Sequence, residues 1–430
     1  MGLSPWRGTH RRIRSTVGAA TLALALLVPG LVQSVPVAAA DSVGELVVQP
    51  APGRTIQDVN RKFGTTTSLQ LTDTTQAVVK TPTVNATFAA MQADASSASP
   101  TVAWAEPNVA ADEPRAQEDS GSDPYCPKPP ADLQTGGVAG QEDSGSDGHC
   151  TRVIPIGGLL RYPSQYAVSR ATFDRAQTVQ NGRGVTVAVL DTQVDALHPR
   201  LLLHTVGGLD LLTASLFTTL PGPGADRGHG TFVAGVVLRA APAAKIMPVR
   251  VLNDDGRGST AQVAEGIRWA VAHGADVINM SLDTPTDSRV LREAVAYALS
   301  HNVVLVAAYG NEGKNQPYVY PADYPGVISV MATDQNDVRA AFSNYGRAGV
   351  VAAPGVNIIS TYPLGLYAVG SGTSYASPWV AGEAALILDG NPQATPAQVL
   401  AKIQGTADDV SAANSGAKFS RINSYRSVSR

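Results

Sequence analysis

The chain reads Val185-Thr186-Val187-Ala188-Val189-Leu190-Asp191-Thr192, a run of β-branched and apolar residues that ends in a carboxylate. Such a run predicts a β-strand that is buried on both faces, as strands of a parallel sheet are. Ligands bind at the carboxyl ends of the strands in an open parallel sheet, so Asp191 is predicted to point at a crevice. Taken alone, an aspartate at a strand end is better explained as the cap of the following turn.

Similar apolar runs follow, and amphipathic stretches separate them. The predicted strands are Lys245 to Val251, Val277 to Met280, Val303 to Ala307, Val327 to Met331 and Val350 to Ala352. Two helix starts carry capping boxes, Ser259 with Gln262 and Thr395 with Gln398. Alternating strands and helices predict an α/β fold with a mostly parallel central sheet, which begins near Tyr162.

Length and composition exclude several classes of protein. At about 150 residues per domain, 430 residues predict two to three folded units. The chain is 44% hydrophobic and 16% charged, which is too apolar for a disordered protein. Its formal net charge is -3, so it lacks the basic excess that binds nucleic acid. Two cysteines are too few for a disulfide scaffold or a cysteine-ligated zinc site.

The first forty residues have the features of a secretory signal peptide. Four arginines up to Arg14 precede an apolar run from Val17 to Val32, and Ala38-Ala39-Ala40 follows. A membrane anchor is disfavoured because Pro29 and Gly30 interrupt the run. We expect cleavage after Ala40 and a secreted, extracellular product without a membrane anchor. Arg11-Arg12 is compatible with both general secretory and twin-arginine export.

Two regions precede the predicted α/β domain. Residues 41–112 start with a strand-like Glu45-Leu46-Val47-Val48 and predict a small accessory domain. Residues 113–161 are rich in Asp, Glu, Ser, Gly and Pro, contain the heptapeptide Gln-Glu-Asp-Ser-Gly-Ser-Asp twice, and predict a linker. Cys126 and Cys150 flank the second copy, and two lone cysteines of a secreted protein are expected to form a disulfide.

Two further segments contain polar residues that a purely structural role explains poorly. In Gly228-His229-Gly230-Thr231 an imidazole stands between two glycines at the start of an apolar helix, which suggests close approach of a substrate or partner. In Gly370-Ser371-Gly372-Thr373-Ser374-Tyr375-Ala376-Ser377-Pro378 a glycine-rich turn leads into a helix. Ser374 is either a helix cap or a nucleophile next to helix-end amides that stabilise an oxyanion.

Together, the three segments resemble the Asp, His and Ser motifs of the subtilisin-like serine proteases, the subtilases. The order Asp191, His229, Ser374 is that of this family, and the resemblance extends from about Tyr162 to Ser427. An α/β-hydrolase would have its serine first and a glycine two residues after it, where this chain has Ala376. The resemblance implies a three-layer subtilisin-like fold over residues 162–430, preceded by a small α+β domain.

The resemblance also implies a role for each residue. Ser374 would attack the scissile carbonyl, His229 would act as general base and then general acid, and Asp191 would orient the imidazole. The segment Ala308-Tyr309-Gly310-Asn311-Glu312-Gly313 resembles the family's oxyanion-hole segment, with Asn311 as the donor. No cofactor is needed for this chemistry. A secreted binding protein on an inactive protease scaffold is the alternative, but such a protein is expected to lack at least one of these four residues.

Peptide substrates are expected to bind as an added β-strand in the cleft. Ser281 and Leu282 resemble one edge of the substrate cleft and Gly258 resembles the opposite edge, with Gly310 close by. Three residues depart from the family pattern: Gln193 and Asp283, which replace glycines, and Tyr309, which replaces a small residue. Cleft shape and specificity are therefore expected to differ from those of typical members.

The resemblance extends to the accessory region. Residues 41–112, which end near Trp104-Ala105-Glu106-Pro107-Asn108, are similar to the inhibitory propeptide that assists folding and then occupies the cleft. The alternative is a binding module retained in the mature protein. Subtilases often bind structural Ca²⁺, but no loop here matches a ligand set closely enough to be named. We expect a monomer that acts on proteins or peptides and has its own propeptide as a transient inhibitor.

Overall fold

The computed structural model describes residues 44–112, 142–143, 150–154, 157–215, 224, 226–347, 349–415 and 417–429. The predicted signal peptide and most of the predicted linker lie outside these residues. Cys126 also lies outside them, and only the backbone of Cys150 is described, so the disulfide stays a prediction. In the described part of the chain, no helix has both the length and the apolar character needed to cross a membrane.

Residues 45–107 form an antiparallel sheet with two helices. The elements are β1 (Glu45–Pro50), α1 (Ile56–Phe63), β2 (Thr66–Gln70), β3 (Ala77–Lys80), α2 (Val84–Ala95) and β4 (Val102–Pro107). The strand order is β2-β3-β1-β4. Side chains of β1 alternate between two faces, so Leu46 and Val48 pack against α1 and α2 while Val47 joins the core of the α/β domain. The strand predicted from Glu45 onward is confirmed.

The other elements follow in chain order. They are β5 (Ala110–Asp112), β6 (Glu142–Asp143), β7 (Cys150–Ile154), α3 (Gly157–Arg161), α4 (Tyr166–Arg170), α5 (Phe173–Ala176), β8 (Thr186–Asp191), β9 (Leu209–Asp210), α6 (His229–Ala240), β10 (Lys245–Arg250), β11 (Arg257–Ser259), α7 (Thr260–Ala272), β12 (Val277–Met280), α8 (Arg289–Ser300), β13 (Val304–Ala308), β14 (Ile328–Thr333), β15 (Val351–Pro354), β16 (Ile358–Tyr362), β17 (Leu366–Ser371), α9 (Thr373–Gly390), α10 (Pro396–Thr406), β18 (Asp408–Asp409), β19 (Ser420–Arg421) and α11 (Ser424–Ser429). Short 3₁₀ helices lie at Tyr162–Ser164 and Ser411–Asn414.

A nine-stranded sheet forms the centre of the α/β domain, in the order β18-β19-β15-β14-β13-β12-β8-β10-β9. All neighbouring strands are parallel except β18 and β19. The six strands predicted from apolar runs are the contiguous set from β15 to β10, each within two residues of its predicted bounds. The predicted α/β class with a mostly parallel sheet is confirmed.

Helices cover both faces of this sheet and produce three layers. Alternate side chains of β8 explain the arrangement: Val187 and Val189 pack in a core with α6 and α9, whereas Ala188 and Leu190 pack in a second core with α7 and α8. The predicted caps differ in detail. Thr395 and Gln398 form the full reciprocal box, but at Ser259 only the bond from the Gln262 amide to the serine hydroxyl forms a cap.

Two smaller antiparallel sheets lie beside the central one. β11 pairs with β5, and β16, β17, β7 and β6 form a sheet in that order. The strands β6 and β7 and the helix α3 fall within residues 113–161, which the sequence predicts to be a linker. The structure differs there because Ile154 is buried in an apolar cluster with Tyr162 and Tyr367, and this burial fixes the end of β7.

Candidate active site

Asp191 is the last residue of β8 and lies at the carboxyl edge of the sheet, as predicted. Its side chain is completely buried. Oδ1 lies 2.8 Å from Nδ1 of His229 and accepts a 2.7 Å hydrogen bond from the Thr192 amide. An ionised carboxylate only accepts hydrogen bonds, so Nδ1 of His229 carries a proton and Nε2 is the nitrogen that can act as a base.

His229 is the first residue of α6, and the glycines beside it pack against other parts of the same chain. A Cβ on Gly228 would lie 2.0 Å from the Tyr362 ring, and one on Gly230 would lie 2.5 Å from the Thr192 carbonyl oxygen. The amide of Gly230 also donates to the Thr192 hydroxyl at 3.0 Å. Packing against the chain's own β8 and β16 regions therefore accounts for these two glycines, and the expected approach of a substrate or partner stays a prediction.

Ser374 is the second residue of α9, where the backbone amides have no partners within the helix. Its Oγ is buried and makes no hydrogen bond to any residue that the structure describes. The ring of the next residue, Tyr375, lies 5.4 Å from the His229 ring, so the start of α9 lies against the start of α6. A buried hydroxyl among helix-end amides, on a helix whose start lies against that of the imidazole's helix, can act as a nucleophile.

Asn311 follows β13 and is also buried. Its Oδ1 accepts hydrogen bonds from the amide and the hydroxyl of Thr373, at 2.9 and 2.8 Å. Thr373 directly precedes Ser374, so these two bonds fix the Asn311 amide group next to the candidate nucleophile and turn Nδ2 away from Thr373. A fixed amide donor of this kind can stabilise an oxyanion.

A strand of the chain itself occupies the predicted substrate cleft. Ala111 of β5 is paired with Gly258 of β11. On the other side, the Asp112 amide donates to the Asp283 carbonyl at 2.9 Å, and the Asp283 amide donates to the Asp112 carbonyl at 2.7 Å. The two edges predicted to bind extended peptides are thus both paired with one extended segment.

The four predicted substrate-binding residues have different surroundings. Gly258 pairs directly with Ala111, and a Cβ there would lie 2.6 Å from the Val251 carbonyl oxygen. Ser281 instead supports the nucleophile, because its hydroxyl donates to the Ser374 carbonyl at 2.9 Å. Leu282 is buried in the core. Gly310 has a φ of 89°, which favours glycine, and lies between Asn344 and two carboxylates.

Those two carboxylates belong to Asp283 and Glu312. A methyl group on Gly310 would lie 3.2 Å from Oδ2 of Asp283 and 2.9 Å from Oε2 of Glu312, so both carboxylates lie against Gly310, the residue before Asn311. Burial raises the pKa of the Asp283 carboxyl well above its usual range, and the Glu312 and Asp112 carboxylates raise it further. Sequence reasoning missed Glu312, although it directly follows Asn311 in the motif.

Tyr309 and Thr373 are two further buried residues next to the site. Tyr309 is fully buried and donates from its hydroxyl to the Pro317 carbonyl at 3.2 Å, and burial raises its pKa. Sequence reasoning also missed the role of Thr373, because its contact with Asn311 joins residues that are far apart in the chain. Among the described residues, no three His, Cys, Asp or Glu side chains converge as a metal site would require.

The chain is similar to known proteins over more than half of its length. Residues 182–422 match the sequence model of the subtilase family. Subtilisin BL of Lederbergia lenta is 43% identical over 242 residues, which cover 54% of this chain and 87% of that protein. Thermitase of Thermoactinomyces vulgaris is 39% identical over 274 residues, which cover 61% of this chain and 95% of that protein.

Two solved structures are also similar. A cold adapted subtilisin-like serine proteinase has a TM-score of 0.53 and 33% identity, covering 57% of this chain and 90% of its own. Fervidolysin from Fervidobacterium pennivorans, a keratinolytic enzyme related to subtilisin, has a TM-score of 0.66 and 25% identity. That match covers 90% of this chain and 61% of fervidolysin, so it reaches well beyond residues 182–422. The chain therefore belongs to the subtilase family and is a serine-type endopeptidase.

Proposed function

We propose that this endopeptidase is secreted as a precursor and hydrolyses peptide bonds through Asp191, His229 and Ser374, with Asn311 as an oxyanion donor. The observation that carries the proposal is the 2.8 Å contact between Asp191 Oδ1 and His229 Nδ1, at the start of the helix that lies against the start of α9. The contact leaves Nε2 as the basic nitrogen beside the nucleophile's helix.

Each step of the proposed reaction uses a group of this chain. His229 Nε2 takes the proton of the Ser374 hydroxyl as Oγ attacks the scissile carbonyl carbon. The oxyanion that forms accepts hydrogen bonds from the Asn311 side-chain amide and the Ser374 backbone amide. His229 then gives the proton to the leaving amine, and Asp191 stays ionised and stabilises the imidazolium. Water repeats the sequence on the acyl-enzyme, and the reaction uses no cofactor.

The accessory region is proposed to be an inhibitory propeptide, and the contacts of β5 and β4 support this. β5 fills the cleft between Gly258 and Asp283. Glu106, at the end of β4, accepts hydrogen bonds from the Ser288 hydroxyl and from the amides of Arg289 and Val290, at 3.0, 2.8 and 2.8 Å. These donors form the N-terminus of α8, where a carboxylate is favourable. We further propose that the mature enzyme is an extracellular monomer.

Labelling with a fluorophosphonate and assay of peptide hydrolysis test the catalytic proposal. The wild type is expected to be labelled and active, and Ser374→Ala is expected to lose both properties. Combining Ser374→Ala with His229→Ala is expected to cost hardly more than either change alone, because the residues act as one unit. Ser169→Ala, an exposed serine, is the control. Additive losses, or label retained in Ser374→Ala, would contradict the assignment.

The secreted products of the same variants test the precursor proposal. Ser374→Ala is expected to retain residues 41–112, whereas the wild type and Ser169→Ala lose them, as measured by mass and N-terminal sequence. Equal processing of all three proteins would show that another protease makes the cut.

A further inference from the structure

The strand β7 pairs with β17, the strand that leads into the helix of the catalytic serine. It is antiparallel to β17, with Cys150 paired with Ser371 and Ile154 paired with Tyr367. Ser371 is three residues before Ser374, so β7 begins near the nucleophile and runs away from it. The opposite edge of β17 pairs with β16. In the part of the chain that the structure describes, both edges of β17 are therefore occupied.

Side-chain contacts place β7 near His229, the residue that protonates the leaving amine in the proposed mechanism. The hydroxyl of Thr151 is hydrogen-bonded to the hydroxyl of Tyr375, and the Tyr375 ring lies beside the His229 ring. In the proposed mechanism His229 protonates the leaving amine, so this amine must form on the His229 side of Ser374. The residues that follow the scissile bond would then continue past Tyr375, along the edge of β17.

Chain direction agrees with this placement. From Ala110 to Asp112, β5 runs toward Asp283, two residues from Ser281, whose hydroxyl contacts the Ser374 carbonyl. β5 therefore runs toward the nucleophile, as the residues before the scissile bond of a substrate would. β7 runs away from the nucleophile, as the residues after the scissile bond would. The 37 residues between Asp112 and Cys150 far exceed the few needed to cross the site, so β5 and β7 are not two halves of one bound substrate.

We propose that β7 occupies the leaving-group half of the substrate cleft in the processed enzyme and lowers kcat/KM for substrates that extend several residues beyond the scissile bond. The inference rests on the proposed function. Removal of residues 41–112 empties the acyl half of the cleft but leaves β7 in place. A substrate with several residues after the scissile bond must displace β7 from β17, whereas an acyl substrate with a small amine as leaving group need not. Burial of Ile154 among Tyr162, Ile359, Tyr367 and Val369 holds the distal end of β7 against such displacement.

Two substrates with one acyl sequence test the proposal on the secreted, processed protein. One is a peptidyl p-nitroanilide, and the other is an internally quenched peptide that continues for four residues after the scissile bond. The readout is the ratio of kcat/KM for the quenched peptide to kcat/KM for the anilide, with active enzyme counted by fluorophosphonate labelling. The wild type is expected to favour the anilide.

Val153→Pro is expected to raise this ratio by about tenfold, because proline disrupts the pairing of β7 with β17. Ile154→Ser, which weakens the anchor without changing the backbone, is expected to raise it in the same direction if the proline variant does not fold. Val153→Thr keeps the strand and is the matched control, with an unchanged ratio. A ratio that is the same in the wild type and in every folded variant would overturn the proposal. A wild type that cleaves neither substrate would contradict the proposed function and, with it, this inference.

Discussion

At the scale of single residues, the two bonds from Thr373 to Asn311 determine what the oxyanion donor can do. They hold the amide group before any substrate arrives, so no reorganisation is needed when charge develops on the carbonyl oxygen. Asn311→Ala is expected to lower kcat by about 10²- to 10³-fold and to leave KM nearly unchanged, because the donor acts mainly in the transition state. Steady-state kinetics on a peptidyl anilide measure both constants, and an effect on KM alone would refute the role.

Asp283 is the residue whose charge is expected to influence specificity. Its Oδ2 is buried without a hydrogen-bond partner among the described residues and lies against Gly310, as Oε2 of Glu312 does. A cationic substrate side chain near this pair would favour the ionised form of Asp283. We therefore compare kcat/KM for two matched peptides, one with Lys and one with Leu near the scissile bond. The ratio of the Lys value to the Leu value is expected to be higher in the wild type than in Asp283→Gly, and to decrease in high salt.

The same ratio is expected to depend on pH with a definite sign. Because the pKa of Asp283 is raised, the carboxyl gains its charge only as the pH rises, so the preference for Lys should strengthen toward alkaline pH. Asp287→Asn removes an exposed carboxylate from the same loop and is the control. A Lys to Leu ratio that is identical in the wild type and Asp283→Gly at every pH would eliminate the idea.

At the scale of elements, Glu106 connects the end of β4 to the start of α8. It accepts three hydrogen bonds there, and Arg289 of α8 also lies 4.5 Å from the Trp104 ring. Glu106→Gln is expected to weaken binding of the cut propeptide about tenfold, because charge-assisted hydrogen bonds at a helix N-terminus become neutral ones. The strength of this binding is measured by how much proteolytic activity returns when the complex of the processed enzyme and its cut propeptide is diluted. Arg61→Gln, an exposed change in the same segment, is the control, and equal recovery in both variants would contradict the role.

Elements also show which parts of the fold the sequence can predict. The six strands from β15 to β10 were predictable because each is an apolar run buried on both faces, a signal that is local to the strand. β5 and β7 were not predicted as strands, because each is short and its pairing partner lies more than a hundred residues further along the chain. Ser281 illustrates the same limit for the site: its motif was predictable, but its contact with the Ser374 carbonyl depends on how β12 and α9 meet.

At the scale of the whole molecule, the helix that carries Ser374 is also where the C-terminus packs. Glu383 of α9 is fully buried beside Ser424 and Ser427 of α11, and burial raises its pKa from 4.5 to about 7. The folded protein therefore holds a proton on Glu383 between pH 4.5 and about 7, whereas the unfolded chain has released it. Since the native state binds more protons in this window, the free energy of unfolding must fall as the pH rises through it.

The size of this effect can be measured in Ser374→Ala, which avoids self-digestion. The Glu383 contribution is full below pH 4.5 and is lost by about pH 7, a change of about 3 kcal/mol in the free energy of unfolding. Adding Glu383→Gln keeps the shape of the side chain and removes its titration. We therefore expect urea unfolding at pH 5 and pH 8 to show a larger loss of stability in the protein that retains Glu383 than in the one that also carries Glu383→Gln. If both proteins lose the same free energy between the two pH values, Glu383 does not couple the packing of α11 on α9 to pH.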